Sequence, residues 1–338
     1  MSNSQKVLIT GGAGYVGAVL VPRLLVAGYH VKVIDLFLFG GNVLNGSRNN
    51  TNFEPIKGDI RDQRLLADAT RGCDVVIHLA CISNDPSFEL NPTLSRSINF
   101  DAFAPLVRIS KTAGARRFIY ASTSSVYGVS DLPNVTEDHP LVPLTDYNKY
   151  KGLCEPILLA EQSANFTTVI IRPATLCGYS PRQRLDLTVN ILTNHAVNTG
   201  KITVFGGKQM RPNLHIEDMV ALYQLLLELP DGKIAGKTFN AGYQNHTVTD
   251  LAKMVREIVE AEIPERKPLE IITTPSDDTR SYHISSEKIR RELGFTPKRS
   301  VEDAVRDLVA AFRAGKLPNS MTDNRYFNVK AVQAAHLQ

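Results

Sequence analysis

Three groups of residues have types and spacings that could do chemistry. The first is Gly11-Gly12-Ala13-Gly14-Tyr15-Val16-Gly17, which sits between a short apolar run, Lys6 to Thr10, and a helical pattern, Tyr15 to Ala27. It satisfies G-x-G-x-x-G from Gly12 and G-x-x-G-x-x-G from Gly11. Glycines in this setting allow a tight turn, close backbone approach to a pyrophosphate and close packing of helix on strand. The helix amino terminus that follows offers N–H donors and a favourable dipole to an anion. Asp35 closes the next apolar run, 18 positions beyond Gly17, near the offset of about 20 at which an acid binds the ribose hydroxyls of a dinucleotide. A carboxylate there repels a 2′-phosphate, so the pattern predicts NAD rather than NADP.

The second group is Tyr147 and Lys151, four apart in a helical pattern opened by Thr145 and Asp146, and therefore on one face. A phenol titrates near ~10, and an adjacent ammonium favours the phenolate, bringing it closer to use as a base. Tyr326 and Lys330 repeat the spacing in the tail, but only Tyr147 follows a strand and loop of the nucleotide-binding unit. The third group is the run Tyr120-Ala121-Ser122-Thr123-Ser124-Ser125-Val126-Tyr127-Gly128. A hydroxyl at the carboxyl edge of such a strand faces the crevice where ligands of parallel α/β sheets bind.

The elements that must position these groups are written in the hydrophobic pattern. Near-continuous apolar runs at Lys6 to Thr10, His30 to Asp35, Phe53 to Lys57, Asp74 to Ala80, Arg117 to Thr123 and Phe166 to Pro173 predict strands buried on both faces. Helical patterns such as Tyr15 to Ala27 and Pro92 to Ala113 alternate with them, the signature of a parallel sheet covered by helices. Beyond Pro173 the pattern loosens, with helices at Leu185 to Thr199, Ile216 to Leu229, Val248 to Glu262 and Val301 to Arg313. The expected fold is α/β: a Rossmann-type doubly wound parallel sheet over residues 1–182, completed by part of 214–243, with a smaller C-terminal α/β substrate domain over 183–318. The tail, 319–338, carries no readable role. Phe37 to Asn52 reads as an exposed connection.

Composition narrows the class. With 43% hydrophobic and 21% charged residues in 338, the chain is globular rather than disordered. Lys plus Arg number 38 against 34 acids with no basic stripe, which argues against nucleic acid. No apolar run reaches the roughly 18 residues of a membrane span, and Met1 to Lys6 is polar, so a soluble cytoplasmic protein is expected. Cys73, Cys81, Cys154 and Cys177 form no C-x-x-C pair, so buried reduced thiols are expected, with no disulfide framework and no metal site.

Taken together, T-G-G-A-G-Y-V-G at Thr10 to Gly17, Asp35, G-D-I at Gly58 to Ile60, H-L-A at His78 to Ala80, S-T-S-S-V-Y-G at Ser122 to Gly128, Tyr147 with Lys151, and R-P-A at Arg172 to Ala174 resemble the extended short-chain dehydrogenase/reductases. Specifically, the chain resembles the NAD-dependent nucleotide-sugar epimerase/dehydratase family, from its start to about residue 315. The resemblance implies a cofactor site made by Gly11, Gly14, Tyr15, Val16, Gly17, Asp35, Leu79, Ala80, Tyr147, Lys151 and Pro173, with Asp59 and Ile60 at the adenine and Asn99 supporting the active site. It implies a catalytic set of Thr123, Tyr147 and Lys151, in which Tyr147 deprotonates a sugar hydroxyl held by Thr123. Substrate contacts fall to Ser124, Ser125, Asn190, Arg211 and Arg280, the two arginines facing a nucleotide diphosphate. Arg211 stands in R-P-N-L-H-I-E-D, departing from the family pattern at Pro212 and Asn213; His215 and Asp218 are expected to organise the loop and helix start.

In the family, dehydratases and decarboxylases follow the catalytic Thr with Asp-Glu or Ser-Glu, whereas here Ser124 and Ser125 follow. The expected activity is therefore NAD-dependent nucleotide-sugar epimerisation, at C4, by transient oxidation and re-reduction. A nucleotide keto-sugar reductase is the alternative, and a non-catalytic NAD- or RNA-binding relative the third reading. Cys81 and Cys177 are candidates for a base at a neighbouring carbon only if they line the pocket. The family's usual dimer, a four-helix bundle built from the helix around Asn99 and the helix after Tyr147, is expected, with Pro105 and Pro156 favouring kinks inside those helices.

Overall fold

The computed structural model describes residues 5–130, 132, 134–276 and 281–337. The strands are Lys6–Thr10 (β1), His30–Asp35 (β2), Phe53–Lys57 (β3), Val75–His78 (β4), Arg117–Ala121 (β5), Thr167–Pro173 (β6), Thr175–Cys177 (β7), Lys201–Phe205 (β8), Met210–His215 (β9), Lys237–Ala241 (β10), Gln244–Thr247 (β11) and Glu270–Thr274 (β12). The helices are Gly17–Val26 (α1), Gln63–Thr70 (α2), Asp85–Glu89 (α3), Pro92–Arg96 (α4), Phe103–Thr112 (α5), Asp146–Leu159 (α6), Thr188–Thr199 (α7), Ile216–Glu228 (α8), Asp231–Ile234 (α9), Val248–Glu262 (α10), Glu287–Leu293 (α11), Val301–Arg313 (α12) and Asn328–Ala335 (α13).

Seven strands form one parallel sheet in the order β10-β6-β5-β4-β1-β2-β3, a Rossmann-type arrangement. Alternate residues of each strand feed opposite faces, and both faces are apolar, as a sheet covered on both sides requires. Val7, Ile9, Val33, Ile77 and Ile171 pack with Leu20 and Leu24 of α1 and Leu222 and Leu226 of α8. Leu8, Ile34, Val76, Phe118 and Ile170 pack on the other face with Leu66, Leu106 and Leu158. After β6 the chain builds a second region and then returns to lay β10 beside β6, with Phe239 opposite Ile171. That region has its own core, where Val189, Leu192, Leu251, Val255 and Val305 of α7, α10 and α12 cover the β8–β12 pair.

The strand order reverses between β1 and β4, and at such a switch point the diverging loops open a crevice beyond the carboxyl ends of the strands. Gly11 lies there with φ +73°, and a Cβ on it would stand 2.6 Å from the Ala80 backbone nitrogen. Only glycine lets the two loops approach this closely.

The expected single helix over Pro92 to Ala113 is broken. Between α4 and α5 the chain widens into one π turn, Ser97–Asp101, where Ala102 N donates to Ser97 O at 3.1 Å. Pro105, near the start of α5, lacks an N–H and crowds the carbonyl of Asp101, so a regular helix cannot run through this point. The turn carries Asn99. Pro156 is accommodated inside α6. The tail folds as a short 3₁₀ turn, Asn324–Tyr326, followed by α13. Leu185 N donates to Tyr326 O at 2.9 Å, which draws that residue out of the predicted helix and starts α7 at Thr188. Among the described residues, no helix is long and apolar enough to cross a membrane, and no acidic, cysteine or histidine cluster could hold a metal.

Candidate active site

A cavity of about 480 Å³ opens at the switch point. Its floor is the predicted glycine loop: Gly11, Gly14, Tyr15, Val16 and Gly17 line it, with Leu79 and Ala80 following β4 and Pro173 ending β6. A Cβ on Gly17 would meet Gly12 O at 2.3 Å, so this glycine lets α1 begin directly under the loop. Asp35, Asp59 and Ile60 line the far end. Each Asp35 oxygen accepts one backbone N–H, Oδ2 from Ala13 at 2.9 Å and Oδ1 from Phe37 at 2.7 Å. Burial raises its pKa, opposed by those two bonds. Each oxygen keeps a lone pair for a ribose hydroxyl, so the glycine cradle and this acid fit a dinucleotide. Asp59 is held by Arg61 through Nε at 3.1 Å and Nη2 at 2.7 Å.

Thr123, Ser124, Ser125, Tyr147 and Lys151 line the same cavity. Thr123 ends the extended run after β5 and caps a 3₁₀ turn, Ser124–Tyr127; its Oγ1 accepts from Ser125 N at 3.2 Å and lies 2.8 Å from Ser125 Oγ. Ser125 Oγ donates in turn to Asn148 Oδ1. Ser124 is 1% exposed and its Oγ has no partner among the described residues, a hydroxyl left for a ligand. Thr145 caps α6, accepting from Asn148 N at 3.4 Å, and thereby places Tyr147 and Lys151 on the helix's first turns.

Lys151 Nζ donates to Ala121 O and stands 4.4 Å from the centre of the Tyr120 ring, at the end of β5. Burial pushes the Tyr147 phenol well above its ordinary value, and Cys81 and Asp85 push it the same way.

Two expectations are corrected, and Asn99 supports the site without lining it. Asn99 lies outside the cavity wall: its Oδ1 accepts from Ile82 N at 2.8 Å and its Nδ2 donates to Ile82 O at 2.9 Å, fastening the loop after β4. Asn190 is fully buried away from the cavity, accepting from Gly178 N at 3.0 Å and donating to Arg184 O at 2.9 Å and Tyr15 Oη at 3.2 Å. Its amide is used up in joining Tyr15 to the second region, so the substrate contact that the resemblance implied is not made. The Phe37 to Asn52 connection contributes Leu38 and Phe39 to the wall. Arg211 lines the cavity from β9, with Nη1 donating to Met210 O at 3.0 Å, whereas Arg280 lies outside the described residues. His215 Nδ1 accepts from Glu217 N at 3.1 Å at the start of α8, and Asp218 accepts from Lys298 N at 3.0 Å and Arg299 N at 2.8 Å, both organising roles. Cys73, Cys154 and Cys177 are buried, but Cys81 is half-buried and lines the cavity.

Sequence reasoning missed a further set. Asn84, Asp85, Arg182, Arg184, Asp186 and Asn328 all line the cavity. Asn84 has φ +75°, a left-handed backbone unusual outside glycine, and donates through Nδ2 to Asp186 Oδ2 at 3.2 Å. Asp85 Oδ1 accepts from Thr145 Oγ1 and, at 3.4 Å, from Asn148 Nδ2. The Asn84-Asp85-Pro86 turn was the available signal, a polar turn in the loop that follows β4 of the nucleotide-binding sheet.

The sequence model of a family described as the NAD dependent epimerase/dehydratase family matches residues 7–242. The chain is 28% identical over 326 residues to a dTDP-glucose 4,6-dehydratase of Streptomyces niveus, covering 91% of this chain and 93% of that protein. It is 31% identical over 320 residues to UDP-glucuronic acid decarboxylase 4 of Arabidopsis thaliana, covering 91% and 68%. The solved UDP-glucuronic acid 4-epimerase from Bacillus cereus, in complex with UDP-glucuronic acid and NAD, superposes with TM-score 0.79 at 26% identity, covering 92% of this chain and 99% of that one. With its glycine cradle, Asp35, and the Thr123, Tyr147 and Lys151 set around one cavity, this chain belongs to the NAD dependent epimerase/dehydratase family.

Proposed function

We propose that the protein is a nucleotide-sugar epimerase acting at C4. The observation that carries this reading is the pair Ser124 and Ser125 in the cavity wall beside Thr123. A serine hydroxyl cannot serve as the carboxyl acid or base that loss of water or carbon dioxide from the sugar requires. Similarity to dehydratases and a decarboxylase supports the nucleotide-sugar class and the shared first step, and similarity to a 4-epimerase supports the outcome. When bound, NAD supplies the acceptor and donor of a hydride. Tyr147 takes the proton of the reacting hydroxyl and returns it; Thr123 orients that hydroxyl, itself fixed by Ser125. Lys151, through Ala121 O, fixes α6 against the end of β5 and supplies positive potential to the site. Arg211 serves the substrate diphosphate from β9, and we assign Arg280 to the same anion from its position in the family pattern.

The reading also carries a homodimer through α5 and α6, where Leu153 leaves an apolar side chain 42% exposed; a monomer by light scattering would contradict that part. The activity is tested by presenting UDP-, dTDP-, GDP- and CDP-sugars and following products by NMR. The expected result is an epimer at C4 with no net change in NADH, formed far more slowly by Tyr147→Phe. Net NADH consumption would instead make the protein a keto-sugar reductase.

A further inference from the structure

Arg182 lies between β7 and α7, 3% exposed, in the cavity wall. Its guanidinium carbon stands 3.4 Å from the centre of the Phe39 ring, and Nη2 donates to Asn328 Oδ1. Its Nε and Nη1 are buried with no hydrogen-bond partner among the described residues. Arg184, two positions on, differs: Asp186 neutralises it at 2.9 and 3.2 Å. A buried cation with two unused donors costs the folded chain free energy unless an anion completes it. Burial, reinforced by repulsion from Arg184, lowers its pKa to about 9.

The surroundings say which anion. Arg182 stacks on Phe39, four residues beyond Asp35, and it senses the Asp35 carboxylate of the dinucleotide wall. Arg211, by contrast, enters from β9. We propose that Arg182 clamps the diphosphate of NAD from the loop between β7 and α7, and that Asn328 of the C-terminal segment holds it in place and thereby slows cofactor release. The segment is built for this. Asn328 Nδ2 donates to Ser83 Oγ at 2.6 Å, and Asn328 N donates to Asp186 Oδ2 at 3.1 Å, so one residue staples the loop after β4 to the loop before α7. Cofactor retention is what an enzyme that must return its own hydride needs, but the clamp rests only on NAD being the cofactor, not on which carbon reacts.

The test uses the full-length protein carrying Arg182→Gln, stripped of nucleotide and titrated by calorimetry with NAD, adenosine and UDP. The expected result is NAD binding weakened roughly 10- to 100-fold, adenosine and UDP binding unchanged, and a melting temperature of the stripped protein equal to or above that of wild type, because an uncompensated charge has been removed. Unchanged NAD affinity would overturn the proposal. So would parallel losses of NAD and adenosine binding with a lower melting temperature, the mark of a merely structural arginine, or a loss confined to UDP. Asn328→Ala tests the second part: NAD dissociation followed by stopped flow should accelerate, and an unchanged rate would remove the tail from the account.

Discussion

The Glu155 carboxylate of α6 grips the Arg172 guanidinium of β6 through both oxygens, at 3.0 Å to Nε and 2.6 Å to Nη2. Glu155 lies one turn beyond Lys151 and also accepts from Ser122 Oγ at 2.6 Å. Arg172 donates to Tyr127 Oη at 2.7 Å, which donates to Asn240 Oδ1 at 2.7 Å. One buried network therefore ties α6 to the ends of β5, β6 and β10, and with them the residues that face the substrate.

Breaking that pair while leaving one charge buried should be costly. Glu155→Gln is expected to destabilise the fold by ~3–5 kcal/mol in denaturant unfolding. The double variant Glu155→Leu, Arg172→Met should recover part of the loss. A single variant as stable as wild type would mean that the network does not hold the site.

Stability should also fall with acid because of one histidine. His78 is buried, with Nδ1 2.7 Å from Thr10 Oγ1 and its ring stacked on Tyr120 at 5.8 Å. Burial, helped by the Lys151 charge, lowers its pKa to about 3. Unfolded, it titrates near ~6.5. The unfolded chain thus binds the extra proton between these values, so this contribution is complete above pH ~6.5 and is lost toward pH 3, at ~1.4 kcal/mol per pH unit. His78→Gln should flatten the pH dependence of unfolding in this window; an unchanged slope would contradict the assignment.

The proposed proton transfer needs the Tyr147 phenolate, and Asp85 opposes that ionisation. Asp85→Asn removes a nearby negative charge, so the acid limb of kcat/KM should move to lower pH. Movement to higher pH would show that the carboxylate assists the phenolate.

Tyr147→Phe should reduce turnover by roughly 10²–10⁴-fold, the ordinary worth of a positioned proton-transfer group. NAD retained after gel filtration should match wild type. Joint loss of cofactor and turnover would assign Tyr147 to binding rather than to proton transfer.

The legible parts of the sequence were those governed by local period and local turns. β1, β2, β3, α10 and α12 fall on the predicted residues because each is an apolar run or stripe bounded by turn-forming or capping residues. The glycine loop, Asp35, Thr123, Tyr147 and Lys151 converge on one cavity because strand ends and a helix start fix their directions. What stayed hidden depends on pairs distant in the chain. Arg182 meets Asn328 across 146 positions, and Asn240 meets Tyr127 across 113; neither contact leaves a periodic trace. Asn190 was misplaced for the same reason, since the partners that saturate its amide come from two loops, the glycine loop and the connection between β7 and α7.

The most direct test of the proposed activity is the fate of the hydrogen at the reacting carbon. A nucleotide sugar deuterated at C4 should give a C4 epimer of unchanged mass that keeps its deuterium, with none passing to added NAD. Loss of water or carbon dioxide from the sugar, or deuterium appearing in released NADH, would contradict epimerisation by internal return of the hydride.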